Sequence, residues 1–175
     1  MNIKKTIAVI NQMQAEGVVE RYAIGGAVGA TFYIEPAATL DVDIFVAIEA
    51  MPGSLLINPN RIYNYLTALG YEIKQEYIVI EGWPVQFLPP GNSLVEEALE
   101  KAITMDVEGT AARVFTAEHL AAIALQTGRA KDKSRLLQFI EAEALNMPSF
   151  EMILDRHGLT PSWEKFKRQF LSETP

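Results

Sequence analysis

The chain has 175 residues, a formal net charge of −7 and no cysteine. Its hydrophobic fraction of 49% and charged fraction of 21% are typical of a globular chain, long enough for one core with a helical appendage. The negative charge argues against a non-specific nucleic-acid coat, which needs a basic surface, but allows an RNA end held at one basic site. The cluster Arg129, Lys131, Lys133 and Arg135 would supply that site, with the solvated face of a helix as the alternative. We expect a cytoplasmic protein without disulfides, because cysteine, a membrane-spanning apolar run and a signal-peptide pattern are all absent from the sequence.

The first two thirds of the chain predict alternating helices and strands. An amphipathic pattern predicts a first helix over residues 3–16. Short apolar runs predict strands over residues 22–24, 40–48, 71–80, 85–88, 103–108 and 111–115. Helices are predicted between them over residues 26–33, 58–70 and 93–101, with Asn58 and Ser93 as capping residues.

After residue 115 the pattern predicts helices alone, over residues 116–128, 132–144 and 149–158. Thr116 and Ser149 are the predicted caps of the first and third of these helices. This order predicts an α+β (α/β) catalytic core over residues 1–115 and a helical C-terminal extension over residues 116–175, packed on the core. We expect the two histidines, His119 and His157, to have capping or packing roles.

Two glycines and two aspartates lie close together in the segment 22–46. Gly25 and Gly26 end a short strand and remove side-chain bulk where a backbone approaches a group such as a phosphate. Asp41 and Asp43 are two residues apart on the next predicted strand, so they share a face. Neighbouring carboxylates are tolerated mainly where a cation lies between them, and their oxygens suit magnesium or manganese. The segment therefore predicts a site for phosphate chemistry.

The sequence AIGGAVGA, followed by TLDVDIFV, resembles the core motif of the DNA polymerase β-like nucleotidyltransferase superfamily. In that motif a Gly-Gly or Gly-Ser turn opens a short helix, and Asp-x-Asp lies on the next strand. The Thr-x-Asp-x-Asp form, with Thr39 ahead of the aspartates, is similar to a small bacterial branch related to abortive-infection (AbiEii-like) and toxin–antitoxin nucleotidyltransferases. That branch often has an arginine just before the motif, where this chain has Ala37 and Ala38.

The resemblance implies a nucleotidyltransferase-like mixed β-sheet flanked by helices. It implies nucleotide contacts from Gly25, Gly26 and Thr39, and a catalytic Mg²⁺ or Mn²⁺ held by Asp41 and Asp43. The implied reaction moves a nucleoside monophosphate from a nucleoside triphosphate to an acceptor hydroxyl, on an RNA 3′ end or a protein side chain, and releases pyrophosphate. The implied setting is a toxin–antitoxin or phage-defence system, with a toxin or antitoxin as partner and no membrane.

Gln86 departs from the family pattern. In the family a third carboxylate, on a neighbouring strand, completes the ion site, and residue 86 occupies the equivalent position here. A glutamine carbonyl can contact a metal but brings no charge and cannot act as a base. One interpretation is a working transferase in which Gln86, a water or another carboxylate, Glu76 or Glu81, takes that place. The other is a module that keeps the fold and binds nucleotide or a partner without turnover.

The segment after the core carries a second resemblance. Its stretch Arg129-Ala130-Lys131-Asp132 is similar to the Arg-x-Lys/Arg-Asp stretch that follows the core in the abortive-infection branch. Arg129 and Lys131 at a helix start would neutralise a triphosphate, helped by the helix dipole. Lys131 has the alternative of being an ordinary surface lysine, and Asp132 is a helix cap or a catalytic group. A further hypothesis is an unrelated α/β protein in which Asp-x-Asp is a solvated strand edge.

Overall fold

The structure is a computed structural model that describes residues 1–36, 38–39, 41–48 and 59–172. The strands are β1 (Arg21–Ile24), β2 (Val42–Ala47), β3 (Glu72–Lys74), β4 (Tyr77–Ile80), β5 (Trp83–Leu88), β6 (Ile103–Val107) and β7 (Thr110–Val114). The helices are α1 (Ile3–Ala15), α2 (Gly26–Ala30), α3 (Asn60–Ala68), α4 (Ser93–Glu100), α5 (Ala117–Thr127), α6 (Ala130–Glu141), α7 (Met147–Arg156) and α8 (Thr160–Phe166). A π-helical turn at Lys167–Leu171 follows α8.

The strands form one mixed sheet in the order β3-β4-β5-β2-β1-β7-β6. Strand β2 pairs antiparallel with β1 and parallel with β5, and β1 pairs parallel with β7. The remaining pairs, β3 with β4, β4 with β5 and β6 with β7, are antiparallel. This sheet and its flanking helices confirm the predicted fold class, and they place β2, the strand of Asp43, near the middle of the sheet.

Helices cover both faces of the sheet. One hydrophobic cluster joins α1 and α3 to one sheet face, and another joins α4 through α8 to the other. Along β2 the side chains alternate between the two clusters, because successive residues of a strand point to opposite faces. Ile44 packs in the cluster with α1, and Phe45 packs against the cluster of C-terminal helices. Asp43 has the parity of Phe45, so its carboxylate lies on the face covered by the C-terminal helices.

One predicted strand is wrong. The sequence predicts a single strand over residues 71–80, and the structure has the hairpin β3–β4 in its place. Lys74 and Tyr77 are paired across a two-residue turn, and Gln75 in that turn has a left-handed φ of 59°. Such turns favour glycine, asparagine or aspartate, and Gln75-Glu76 gives no turn signal in the sequence. The strand pairing therefore determines this turn against the local preference.

Several predicted helix starts shift by a few residues. Asn92 caps α4 and Asn146 caps α7, in place of the predicted Ser93 and Ser149, since each asparagine side chain accepts a backbone N–H at 3.0 Å. Thr116 caps α5 as predicted. The predicted cap Asn58 lies outside the described residues, as do residues 37 and 40 of the motif region. The division of the chain at residue 115 stays a prediction.

Glu97 on α4 ties together three helices. Its carboxylate lies 3.0 Å from His119 Nε2 of α5 and 2.6 Å from Nε2 of His157, and it accepts a hydrogen bond from Arg156 Nε of α7 at 3.0 Å. The Arg156 guanidinium, with both imidazoles, holds the pKa of Glu97 well below its ordinary value. Burial lowers the pKa of His119, although Glu97 opposes this shift. Both histidines thus have structural roles, since their imidazoles contact the same carboxylate and link α4 to α5 and to the end of α7.

No helix in the part of the chain that the structure describes is long and apolar enough to span a bilayer.

Candidate active site

Asp43 is held at the centre of the sheet by its backbone. Its carbonyl accepts a hydrogen bond from Gly25 N at 3.0 Å, which joins the glycine turn to β2. Across the parallel pair β2–β5, Asp43 is the register partner of Gln86, so the two side chains lie side by side on the same face. Asp41 lies one residue before β2 begins. Thr39 Oγ1 donates to the Asp41 carbonyl at 3.0 Å and so fixes the segment that enters the strand.

Gly26 is required by the position of the Asp43 carboxylate. Its φ of +58° lies in the left-handed region, which side-chain-bearing residues rarely adopt. A Cβ on Gly26 would overlap the Oδ2 of Asp43. Gly25 has a different neighbour, since a Cβ there would lie 2.6 Å from Cε2 of Phe45. The first glycine thus allows the aromatic ring to pack, and the second allows the carboxylate to approach the turn.

Two adjoining cavities open at this point, of about 430 Å³ and about 460 Å³. We call them the first and the second cavity. They share a charged centre lined by Gly26, Asp41, Asp43, Arg129, Lys131 and Arg135. Gln86 and Asp132 line the first cavity, and Thr39 lines the second. The sheet therefore supplies the carboxylates of the centre, and the start of α6 supplies its cations.

Two of the three cations of this centre, Arg129 and Arg135, are held by a buried carboxylate, Asp132. Arg129, the N-cap residue of α6, donates from Nε to Asp132 Oδ2 at 2.6 Å, and Arg135 Nη1 lies 3.7 Å from Asp132 Oδ1. The Asp132 side chain is only 3% exposed. Lys131 and Arg135 are four residues apart, so they share a face of α6. Lys133, two residues from each, lies on another face, with its Nζ 6.0 Å from the centre of the Phe170 ring.

The charges of the centre act on one another. Burial raises the pKa of the Asp43 carboxyl above its ordinary value, and the charge of Asp41 raises it further. The positive charges of Lys131, Arg135 and Arg129 oppose this shift. A divalent cation bound near Asp41 and Asp43 would therefore relieve the repulsion between their carboxylates.

Tyr77 also belongs to this centre. It lines the first cavity, and the Asp41 charge is the largest of the influences that raise the pKa of its hydroxyl. The sequence gives no signal for this residue, because only the pairing of β4 with β5, and of β5 with β2, brings it to the aspartates.

The donor set fits a hard divalent cation. Asp41 and Asp43 offer carboxylate oxygens and Gln86 an amide oxygen, and such ligands suit Mg²⁺ or Mn²⁺. Among the described residues, no group of three or more histidine, aspartate and glutamate side chains is arranged to hold a metal. Glu81 accepts a hydrogen bond from the Tyr71 hydroxyl at 2.9 Å, and neither Glu76 nor Glu81 lines either cavity. The residues present therefore supply two charged ligands.

Comparisons with known proteins give structural likeness alone. No family model and no curated protein matches the sequence. An antigenic nucleotidyltransferase-like protein from Paracoccidioides brasiliensis is similar in structure with a TM-score of 0.55, at 13% identity over 94% of this chain and 91% of that one. ANT(2″)-Ia in complex with adenylyl-2″-tobramycin has a TM-score of 0.51, at 12% identity over 90% of this chain and 98% of that one. The solution structure of the antibiotic-resistance factor ANT(2″)-Ia has a TM-score of 0.50, at 11% identity over 94% and 96%.

The chain has a nucleotidyltransferase-like fold. Within this fold, most residues singled out from the sequence meet at one place: Gly26, Asp41, Asp43, Gln86, Arg129 and Lys131 line the first cavity. Thr39 lines only the second cavity, and Gly25, the residue before Gly26 in the turn, lines neither cavity. Arg135, which the sequence places in a basic cluster without a role of its own, is a further cation of the centre. Its spacing of four residues from Lys131 puts both side chains on one face of α6.

Proposed function

We propose that this chain is a metal-dependent nucleotidyltransferase. It would move a nucleoside monophosphate from a nucleoside triphosphate to an acceptor hydroxyl, on an RNA 3′ end or a protein side chain, and release pyrophosphate. One observation carries the proposal: Asp41 and Asp43 share a cavity with Arg129, Lys131 and Arg135. Carboxylates that suit a divalent ion and cations that suit phosphates are the two halves of a metal–nucleotide site.

Each part of the charged centre would have a distinct task. Asp41 and Asp43 would hold Mg²⁺ or Mn²⁺, which, when bound, supplies positive charge against the phosphate oxygens. Arg129, Lys131 and Arg135 would hold the triphosphate, with the amino-terminal end of α6 adding a favourable dipole. The acceptor oxygen would attack the α-phosphorus as the bond to the bridging oxygen of the β-phosphate breaks. The acceptor proton would pass to solvent, and pyrophosphate would leave towards the cations.

Some of the proposal rests on sequence resemblance or on a neighbour. ANT(2″)-Ia is described in complex with adenylyl-2″-tobramycin, a nucleotidylated compound, which supports transfer to an acceptor outside the nucleotide. The toxin–antitoxin or phage-defence setting, a partner toxin or antitoxin, and a cytoplasmic location are proposed from the sequence.

A second candidate function follows from Gln86. In this alternative the chain binds a metal–nucleotide complex without turnover, because the residue beside Asp43 contributes no charge and no base. The other carboxylate of the first cavity, Asp132, is paired with Arg129 and Arg135 and is not free to serve as a base. Losing one charge-stabilising group costs about two to three powers of ten in rate in other enzymes.

The variant Gln86→Asp separates the two functions. If the chain is a transferase short of one carboxylate, Gln86→Asp should raise pyrophosphate release by at least about tenfold, within the range that single charged groups command. Release that is present in the wild type and unchanged in Gln86→Asp would mean that the site is already complete. No release by either protein, with nucleotide still bound, would favour the binding module. Gln169→Asp is the control, since Gln169 is exposed and lines neither cavity, and its substitution also adds one negative charge.

The transfer itself is tested with label on the α-phosphate. Each nucleoside triphosphate is incubated with the protein, Mg²⁺ or Mn²⁺, and either total RNA or a protein extract. Label that appears on RNA or protein with the wild type, and not with Asp43→Asn, supports the proposed function. Nucleotide binding without label on either acceptor class would contradict transfer to an RNA end or a protein side chain.

A further inference from the structure

The two cavities meet at the charged centre, but their outer walls differ in chemistry. Beyond the shared residues, the first cavity is lined mainly by apolar side chains, among them Phe45, Leu88 and Ile123. The second cavity is lined by Ala27 and Ala38 and by the polar side chains Thr39, Ser134 and Gln138. The charged centre therefore opens into one cavity whose outer walls are mainly apolar and into another whose outer walls carry polar side chains.

The apolar walls of the first cavity are accessible to a ligand. The side chains of Phe45, Leu88 and Ile123 are only partly buried, although large apolar residues of these types are usually found in the interior of a protein. Phe45 is fixed against Phe115, with the ring centroids 4.9 Å apart and the planes 33° apart. These walls come from the sheet on one side and from α5 on the other. A flat group between them would replace water on two apolar surfaces.

A nucleoside triphosphate has the chemistry to fill the first cavity. Its triphosphate is attracted to the cations of the shared centre, so its base extends into one of the two cavities. A base has π-faces that stack on aromatic rings and are stabilised by apolar burial. In the second cavity it would meet hydroxyl and amide groups that water satisfies equally well.

We propose that the first cavity binds the nucleobase and that the second cavity admits the acceptor, a polar, hydroxyl-bearing group. This inference rests on the proposed function, because it takes the shared centre as the triphosphate site. Thr39, Ser134 and Gln138 would then hydrogen-bond the acceptor beside the α-phosphate. The acceptor class follows from the hydroxyl and amide groups of those side chains, which offer hydrogen bonds to a polar group.

Binding of two probes, with and without a base, tests this assignment. Calorimetry would compare tripolyphosphate with each of ATP, GTP, CTP and UTP, all with Mn²⁺, on wild type, Ile123→Asn and Ser134→Asn. We expect Ile123→Asn to weaken nucleotide binding roughly tenfold, the effect of a lost apolar contact in a pocket. Tripolyphosphate binding should be unchanged, which shows that the variant is folded. Ser134→Asn should alter neither probe.

A second pair of variants avoids any effect on packing. Thr127 lines only the first cavity and Ser134 only the second, and both are exposed helix residues. Thr127→Trp should change the affinity for nucleotide and leave that for tripolyphosphate unchanged, whereas Ser134→Trp should leave both unchanged.

The opposite results would overturn the inference. Nucleotide binding that is sensitive to Ser134→Trp and insensitive to Ile123→Asn would put the base in the second cavity. Equal wild-type affinity for tripolyphosphate and for all four nucleotides would show that the base contacts neither wall. In both cases the triphosphate site of the proposed function would stand. Failure of the wild type to bind either probe would refute that function as well.

Discussion

Replacing Gly26 by alanine perturbs the candidate site at a single atom. The new methyl group would be forced into the left-handed backbone region at φ +58° and would overlap Asp43 Oδ2. The carboxylate must then turn away, because the methyl group is attached to the rigid turn between β1 and α2. We expect Gly26→Ala to lose both stability and metal-dependent nucleotide binding.

Gly17→Ala separates these two effects. Gly17 has a similar φ of +72°, and nothing lies within 4 Å of the place where its Cβ would be. The left-handed backbone alone costs about 1–2 kcal/mol, of which about 0.4–1 kcal/mol is offset by the lower entropy of the unfolded alanine chain. Overpacking at Gly26 adds about 1–3 kcal/mol. At about 2–4 °C per kcal/mol for a chain of this size, Gly17→Ala should lower Tm by about 2–4 °C and Gly26→Ala by about 5–12 °C.

The assay is thermal unfolding followed by a titration with each nucleoside triphosphate and Mn²⁺. Gly17→Ala should keep the wild-type shift in Tm on nucleotide addition, and Gly26→Ala should lose most of it. In the double variant Gly26→Ala/Asp43→Ala the carboxylate is gone, so the added loss of Tm should largely disappear. Equal Tm values for Gly17→Ala and Gly26→Ala, or unaltered nucleotide binding by Gly26→Ala, would refute this reasoning.

Two further predictions concern the buried carboxylates. Glu97→Gln removes a charge that holds three partners, so it should lower stability by about 2 kcal/mol, or Tm by about 4–8 °C at pH 7. Because the pKa of Glu97 is lowered in the fold, its contribution is full above the unfolded value of 4.5 and is lost as the pH falls below it. The Tm gap between the variant and wild type should therefore shrink only below pH 4.5, and a gap that shrinks from pH 7 to 5 would contradict this. Asp132→Asn should weaken tripolyphosphate binding about five- to tenfold, with rescue by Asp132→Glu, because it loosens Arg129, which is held by charged hydrogen bonds of about 1.5–3 kcal/mol, and the ion pair with Arg135. Unaltered binding with a lower Tm would show that Asp132 has only a structural role.

The sequence predicts the candidate site better than it predicts the details of the fold. Short-range patterns were sufficient for the glycine turn and the Asp-x-Asp pair, because residues two apart on a strand share a face whatever surrounds them. The α+β (α/β) core followed from alternating strands and helices and the mixed sheet from the family resemblance, although the strand order followed from neither. The hairpin at Gln75 was missed because strand pairing overrides a turn without local signal.

The parts of the site that depend on tertiary contacts were beyond the sequence. Tyr77 reaches the aspartates through the pairing of β4 with β5 and of β5 with β2, and α6 brings its basic residues to the same cavity. The pairing of Asp132 with two arginines also needs the folded arrangement, since the sequence alone left this residue as a cap or a catalytic group. Local spacing and the family resemblance therefore found the carboxylates, Gln86 and the basic residues, and the fold added Tyr77 and the pairing of Asp132.

The central claim is that Asp41 and Asp43 hold a metal–nucleotide complex against the cations of α6. The most direct test is a thermal-shift titration with each nucleoside triphosphate, with and without Mg²⁺ or Mn²⁺, on wild type, Asp43→Asn and the exposed control Asp155→Asn. A ligand at about a hundred times its Kd stabilises by about 2.7 kcal/mol, a rise in Tm of about 5–10 °C here. We predict a metal-dependent rise in wild type and Asp155→Asn that is lost in Asp43→Asn. No rise with any nucleotide, or an equal rise in Asp43→Asn, would contradict the account.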